Sequence, residues 1–421
     1  MEYGKNEFKR LIKKPLMPYK FTPHVEGFQG VVSRGVDLRQ ALDVTLRSFG
    51  AIDVRLVLAE THQLPRDPSA SLILDRVHGA LNSLPQELFN VVGVSRVQTN
   101  SNRQDISSRT LKTLFEEHSQ KKKNAKDGLT AKTSFHIEAK ASRLSVSMSL
   151  AGEQPLWQRG YKKILKATAP LPECVAACCV GTAISSLGDF TGHNVSVINP
   201  MAGSGTLGFE AILNFSGGHV HTSTLELASA AFGVPQKTLS FLERKLKPRP
   251  EPGEAEAGER LRLAMSDSNS DVIGILSENV AHFSRLVSAE GSVCPPVKLD
   301  FLKAPITSFL VESTTWSQPE RPSSLLLLLN PPHGVRLGKE THMEGFYGAI
   351  GRQAGMLCRE WRMNAVSPGK FAGVCICPDS ATWNAFQRAM THSVGEARMS
   401  FVTTNFNLAG RHMRCLAFST P

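Results

Sequence analysis

Leu325-Leu326-Leu327-Leu328-Leu329-Asn330-Pro331-Pro332-His333-Gly334 joins an unbroken apolar run to an abrupt stop. A run of this length and character suits a parallel strand covered on both faces. The two prolines and the glycine end it. The first residue past such a strand stands at its carboxyl end, where open α/β sheets bind ligands. Asn330 supplies a side-chain carbonyl there, and the carbonyl of Pro331 has no competing strand partner. Together they can accept both hydrogens of an exocyclic amine while the ring of His333 stacks on a base. That is the geometry needed to methylate an amino group of a nucleobase. Asn-Pro is also a common turn opener, and Pro-Pro often does no more than end a strand. A second motif has to decide.

Upstream, Val195-Ser196-Val197-Ile198 reads as another short buried strand. Asn199-Pro200-Met201-Ala202-Gly203-Ser204-Gly205-Thr206 follows, with Leu207, Ala211 and Phe215 at helical spacing behind it. Strand, glycine turn and helix open a nucleotide-type sheet, and the glycines let backbone N–H groups approach a ligand at the helix N-terminus. Gly203, Gly205 and Gly208 also satisfy the dinucleotide fingerprint, for which Glu226 would be the distal acid. Hydride transfer has no use for an amine clamp, however, whereas methyl transfer from S-adenosylmethionine does. An NAD enzyme is favoured only if Glu226, and not Asp267, ends the second strand. Leu263-Ala264-Met265-Ser266-Asp267 reads as a strand ending in a carboxylate placed for ribose hydroxyls. A helix through Ile273, Leu276 and Val280 follows it. Pro296-Val297-Lys298-Leu299-Asp300 reads as a further strand, its acid placed for an adenine amine. A solvated helix N-cap is the plain alternative for each acid.

Glycine turn, acid, acid and Asn-Pro-Pro, in that order, resemble the class I guanine-N2 RNA methyltransferases that carry a THUMP RNA-binding domain, especially the bacterial 23S rRNA type. Their first motif, roughly Asp-Pro-(Phe/Met)-Cys-Gly-Ser-Gly-Thr, is similar to residues Asn199–Thr206, with Phe209-Glu210-Ala211 behind them. Their Asn-Pro-Pro-Tyr-Gly-x-Arg-Leu-Gly is similar to Asn330–Gly338. Leu144–Gly152, Leu156-Trp157-Gln158-Arg159-Gly160-Tyr161-Lys162 and Ala169-Pro170-Leu171 resemble the stretch before the family's catalytic domain. The resemblance implies a Rossmann-like methyltransferase sheet preceded by an α+β THUMP-like domain, with S-adenosylmethionine as cofactor. It implies catalysis by Asn330, Pro331, Pro332 and His333. Cofactor contacts would come from Asn199, Pro200, Ala202, Gly203, Gly205, Asp267 and Asp300. Three positions depart from the pattern: Asn199 for Asp, Ala202 for Cys and His333 for an aromatic ring. They leave open a catalytically degenerate factor of the same fold that binds rRNA during ribosome assembly.

The balance of the chain fits a polyanionic partner, namely ribosomal RNA or a pre-ribosomal particle. Formal net charge is +11 over 421 residues, with 41% hydrophobic and 20% charged residues. That is a globular composition with room for two or three domains. At 7% aromatic residues, a long stacking platform for single strands is not expected. The eight cysteines show no Cys-x-x-Cys pairing, so no metal site is expected, and buried thiols in a reducing compartment are the reading. No apolar span of membrane length and no signal core is found, which points to the cytoplasm or the mitochondrial matrix.

Three regions are expected: a basic arm (1–30), a THUMP-like RNA-binding domain (31–159) and a methyltransferase domain (160–421). In the second, Leu38 to Leu46 has helical spacing and Val54 to Leu58 reads as a strand. Leu144 to Leu150 alternates like a half-buried strand in a hairpin with Phe135 to Ala139. Lys121, Lys122, Lys123 and Arg159 are candidate RNA contacts, the lysines otherwise forming a solvated loop. Lys245 to Arg260 and Ser313 to Ser324 read as insertions.

Overall fold

The computed structural model describes residues 20–24, 27–31, 42, 45, 54–61, 65, 68–83, 92–101, 107–121, 131–140, 143–153, 156, 158–163, 171–187, 195–215, 222–232, 234–246, 261–288, 297–306, 324–333, 343–364, 370–395, 398–408 and 411–421. In chain order the early elements are β1 (Lys20–His24), β2 (Gly27–Val31), β3 (Arg55–Thr61), α1 (Ala70–Ser83), β4 (Val92–Ser101), α2 (Ser108–Lys121), β5 (Ala131–Lys140) and β6 (Arg143–Ser149). Next come α3 (Glu173–Leu187), β7 (Val195–Pro200), α4 (Thr206–Phe215), α5 (Thr222–Phe232), α6 (Gln236–Leu246), β8 (Leu261–Asp267) and α7 (Ser270–Ser288). The last are β9 (Val297–Lys303), β10 (Ser324–Leu329), α8 (Met343–Asn364), β11 (Lys370–Cys377), α9 (Ser380–Val394), β12 (Ser400–Leu408) and β13 (Arg411–Ser419).

The chain forms two compact units. One takes Met1–Gly35, Gly160–Gly218 and Lys247–Pro421; the other takes Val36–Arg159 and His219–Leu246. The segment holding α5 and α6 thus falls in the unit built around residues 36–159.

In the larger unit a seven-stranded sheet runs β12-β13-β11-β10-β7-β8-β9. Strands β7 to β11 pair in parallel, while β13 is antiparallel to both of its neighbours. The leucine run forms β10 as expected, and every residue of the strand is buried. Leu325, Leu327 and Leu329 pack with Tyr347, Ile350, Phe371 and Phe386. Leu326 and Leu328 are equally buried. Each such side chain contributes roughly 1.5–3 kcal/mol of burial, so this strand anchors the sheet. β7 and β8 also form where the sequence places them, and Leu207 and Ala211 are buried along α4. β9 differs. It continues past Asp300 to Lys303, so Asp300 lies mid-strand opposite Ala264, and Lys303 pairs with Asp267. β1 and β2 form a separate antiparallel pair.

The second unit carries a four-stranded sheet, β3-β6-β5-β4. β5 and β6 make the expected hairpin, with Phe135 opposite Met148. The α1 residues Ile73, Val77 and Leu81 pack with Leu111, Phe115, Phe135, Val146 and Met148, and Leu227 of α5 joins the same core. β6 is not half-buried as its alternation suggests: Ser145, Ser147 and Ser149 are buried too. The serines are accommodated by bonding the backbone, since Ser149 Oγ accepts from Ala151 N–H at 3.2 Å. Ser147 Oγ lies 3.5 Å from the His136 carbonyl. Of the expected helix at 38–46, Leu42 and Thr45 are helical, and the rest lies outside the described residues. So do residues 1–19, 247–260 and 313–323. Among the described residues no helix is long and apolar enough to cross a membrane.

Candidate active site

β7 and β10 lie side by side, and the sheet grows from them in opposite directions: β8 and β9 beyond β7, β11 beyond β10. The turns leaving their carboxyl ends are neighbours at the topological switch point, the crevice where such sheets bind ligands.

β7 leaves the sheet through Met201 at φ 58°, then Gly203 at φ 58° and Gly205 at φ 88°. Left-handed backbone costs a methionine roughly 1–2 kcal/mol, so the surroundings must hold it there. Ala202 N–H donates to the Ser266 carbonyl at 2.8 Å, and Gly203 N–H donates to Asp267 Oδ2 at 3.1 Å. These bonds tie the turn to the end of β8. Asp267 Oδ1 accepts from Asn269 N–H at 3.0 Å. Around Gly203 the space is open, with nothing within 4 Å of where a Cβ would stand. At Gly205 a Cβ would lie 2.6 Å from the Phe209 ring. One glycine leaves room for a ligand to reach the backbone, and the other lets α4 close onto its own first turn.

Asn199, near the end of β7, is fully buried. Its Nδ2 donates to the Leu328 carbonyl at 2.9 Å, while its Oδ1 is buried with no donor among the described residues. Pro200 closes the strand opposite Ser266. Asn330, the first residue beyond β10, repeats the pattern: its Oδ1 is buried and meets no donor among the described residues. A buried acceptor left unpaired costs about 1–3 kcal/mol. Two at the ends of adjacent strands mark a place built for donors that arrive with a ligand. Pro331 is buried, and Pro332 and His333 are half-buried. His333 Nδ1 lies 3.4 Å from the Tyr347 hydroxyl, which donates to the Ile376 carbonyl at 3.0 Å. Gly334 to Gly338 lie outside the described residues.

The start of α4 is fixed by groups whose pairing the sequence does not reveal. Lys162 Nζ lies 3.1 Å from Glu173 Oε1, the two side chains being 5% and 4% exposed, and it donates to Thr206 Oγ1 at 3.2 Å. Tyr161 donates its hydroxyl to Glu210 Oε1 at 2.7 Å. Asn279 donates to the Ser204 carbonyl at 3.2 Å and accepts from Lys163 N–H at 3.0 Å. Tyr161, Lys162 and Glu210 stand in the motifs that carry the resemblance, which was the available signal for them.

Other expected residues are not brought here. Asp300 is held by Arg262, whose Nε and Nη2 reach Oδ2 at 3.0 and 2.8 Å. With β9 extended to Lys303, that carboxylate sits three residues short of the strand end, so the expected adenine contact is corrected. Glu226 lies exposed on α5, and Asp267 ends the strand beside β7. That arrangement removes the case for an NAD enzyme. Arg159 is 2% exposed, so its guanidinium is not offered to phosphates at the surface as expected. Lys121 closes α2, while Lys122 and Lys123 lie outside the described residues.

A sheet in this order, with these turns at its switch point, is the Rossmann-like α/β fold found in methyltransferases. In sequence, the chain is similar to the ribosomal RNA large subunit methyltransferase K/L of Hahella chejuensis (strain KCTC 2396), at 28% identity over 230 residues. The match covers 53% of this chain and 28% of that relative, so the chain spans only a part of the relative's length. Among solved structures it is similar to a possible methylase from Clostridium difficile 630, with TM-score 0.58, 14% identity, and coverage of 99% of this chain and 96% of that one. It is also similar to SMU.472, solved in complex with SAH, with TM-score 0.57, 13% identity, and coverage of 98% and 95%. No family model matches the sequence.

Proposed function

We propose that this protein is an S-adenosylmethionine-dependent RNA methyltransferase, and that its target is the N2 amine of a guanine in ribosomal RNA. The observation that carries this reading is the buried, unpaired Oδ1 of Asn330 at the end of β10, beside the glycine turn. An acceptor with no donor of its own suits an amine, which brings two. The sequence similarity to a ribosomal RNA methyltransferase supports the substrate class, and the SAH complex of a structural neighbour supports the cofactor.

The chain's groups fit that cofactor at three points. Open space at Gly203 admits a ligand to the backbone, the buried Asn199 Oδ1 waits for a donor, and Asp267 stands at the end of β8. Asp267 would take ribose hydroxyls with lone pairs not used by Gly203 and Asn269. Asn199 Oδ1 would receive an ammonium through a neutral acceptor, a weaker contact than a carboxylate gives. When bound, S-adenosylmethionine supplies an electrophilic methyl group on a good leaving group.

Asn330 Oδ1 and the Pro331 carbonyl accept the two amine hydrogens and fix the direction of the nitrogen lone pair. The base is drawn from its stack and rests on the ring of His333. The lone pair forms the nitrogen–carbon bond as the carbon–sulfur bond breaks, and the surplus proton leaves the nitrogen. Rate comes from alignment and exclusion of water. The unit built on β3–β6 acts as a THUMP-like RNA-binding module, and the net charge of +11 makes RNA affinity fall linearly on a log–log salt plot.

Titration calorimetry with S-adenosylmethionine and its demethylated product, followed by single-turnover transfer of labelled methyl to ribosomal RNA, tests this. Binding without transfer to any precursor RNA would favour the assembly-factor alternative for a chain that still holds cofactor. No binding at all would remove the cofactor from the reading.

A further inference from the structure

We propose that Tyr347 is a positioning residue that holds His333 as its Nδ1–H tautomer and so leaves Nε2 as the ring's acceptor. The inference rests on the reading above only in placing His333 at the reaction; the tautomer itself follows from three atoms. The Tyr347 hydroxyl lies 3.0 Å from the Ile376 carbonyl and 3.4 Å from His333 Nδ1. A carbonyl can only accept, so the single phenol proton goes to Ile376. What the phenol then offers His333 is a lone pair, and a ring nitrogen facing a lone pair carries the proton. A neutral imidazole has one N–H, so Nε2 is bare.

The arrangement is well fixed. Tyr347 rises from the first turns of α8, is 0% exposed, and reaches both the end of β11 and the turn after β10. Burial, reinforced by Cys375, Cys377 and Asp379, holds its hydroxyl far above the ordinary tyrosine pKa. The phenol therefore keeps its proton, and water has little access with which to rearrange the bonds. The consequence separates His333 from the tyrosine or phenylalanine it replaces in the resembled motif. A phenylalanine offers only a face. Here the ring offers a face to a base and, at its far edge, an acceptor that can take the proton the amine gives up.

The test uses the full chain labelled with 15N-histidine, free of cofactor and RNA, at a pH well above the imidazole range, with His333→Asn identifying the signal. Wild type is expected to show a protonated Nδ1 and a bare Nε2. Tyr347→Phe, which keeps the ring and loses the hydroxyl, is expected to move His333 toward the Nε2–H form. Its single-turnover methyl transfer should fall by about three- to tenfold, the effect of one lost hydrogen bond, with cofactor affinity unchanged. A wild-type His333 found as the Nε2–H tautomer overturns the proposal without reference to any variant. An unchanged tautomer in folded Tyr347→Phe overturns it equally. The tautomer is read in the absence of methyl transfer, so its failure is distinguishable from a failure of the methyltransferase reading.

Discussion

Asn199 donates its side-chain amide to the Leu328 carbonyl at 2.9 Å, joining the ends of β7 and β10 where the sheet changes direction. A carboxylate could not make this bond. Restoring the aspartate of the resembled motif, Asn199→Asp, would set an acceptor against an acceptor in a fully buried place. We expect the variant to lose about 1–3 kcal/mol of stability at neutral pH and to regain part of it in acid, where the carboxyl can donate. Urea melts at two pH values measure this, and a variant as stable as wild type would show that the amide bond carries nothing.

Asn330→Ala removes an acceptor that has no partner in the free protein. Transfer should fall by on the order of 100-fold or more, as when one oriented transition-state contact is lost. Cofactor and RNA affinity should hold. Stability should hold or rise, because deleting an orphaned buried acceptor relieves its desolvation cost. Undiminished single-turnover transfer would place the chemistry on another strand.

The Lys162–Glu173 pair is buried on both sides. Lys162→Met should destabilise by about 3–5 kcal/mol, because Glu173 is left buried without its cation. Lys162→Met with Glu173→Leu should be milder than the single change. A double-mutant cycle in denaturant decides, and strictly additive losses would mean the two charges do not support each other.

Burial pushes the Cys358 thiol up to about 12, and raises Cys375 well above the ordinary thiol range. Burial penalises the thiolate, so these groups stay protonated and unreactive at neutral pH. Native protein treated with iodoacetamide should label the half-buried Cys178 before either of them, as read by mass spectrometry. The linkage has a definite sign. Unfolded Cys358 loses its proton near 9.0 and the folded one near 12, so its contribution is intact below 9.0 and is lost as pH rises through that window.

A fragment of residues 160–421 would carry α5 without the sheet it packs on. Leu227 is 0% exposed and belongs to the core of β4–β6. Such a fragment should bind hydrophobic dyes and aggregate, and deleting 219–246 as well should lessen this. A well-behaved fragment with α5 intact would argue that the helix finds another cover.

Much of the larger unit was legible because its signals are local. Five leucines and two prolines bound β10, and the glycines announce the turn before α4. Asp300 misled because Phe301 and Leu302 continue the strand with side chains that are exposed, so no apolar contrast marks where the strand stops. The serines of β6 misled because alternation reports polarity, and these hydroxyls satisfy themselves on nearby backbone. Lys162 with Glu173, and Tyr347 with His333, could not be paired from the sequence. Their meeting depends on where α3 and α8 land on the sheet. The left-handed Met201 carried no sequence mark at all.

The position of β13 between β11 and β12 has a consequence for synthesis on the ribosome. β12 is made first, yet its ladder partner is the strand made after it, so it has nothing to join until Arg411–Ser419 emerges. Until then β11 presents an open edge to the cell. The half of the sheet that holds Tyr347 and the end of β10 is therefore assembled out of order. A nascent chain stalled before residue 411 should be a strong chaperone client, while one released with β13 complete should not.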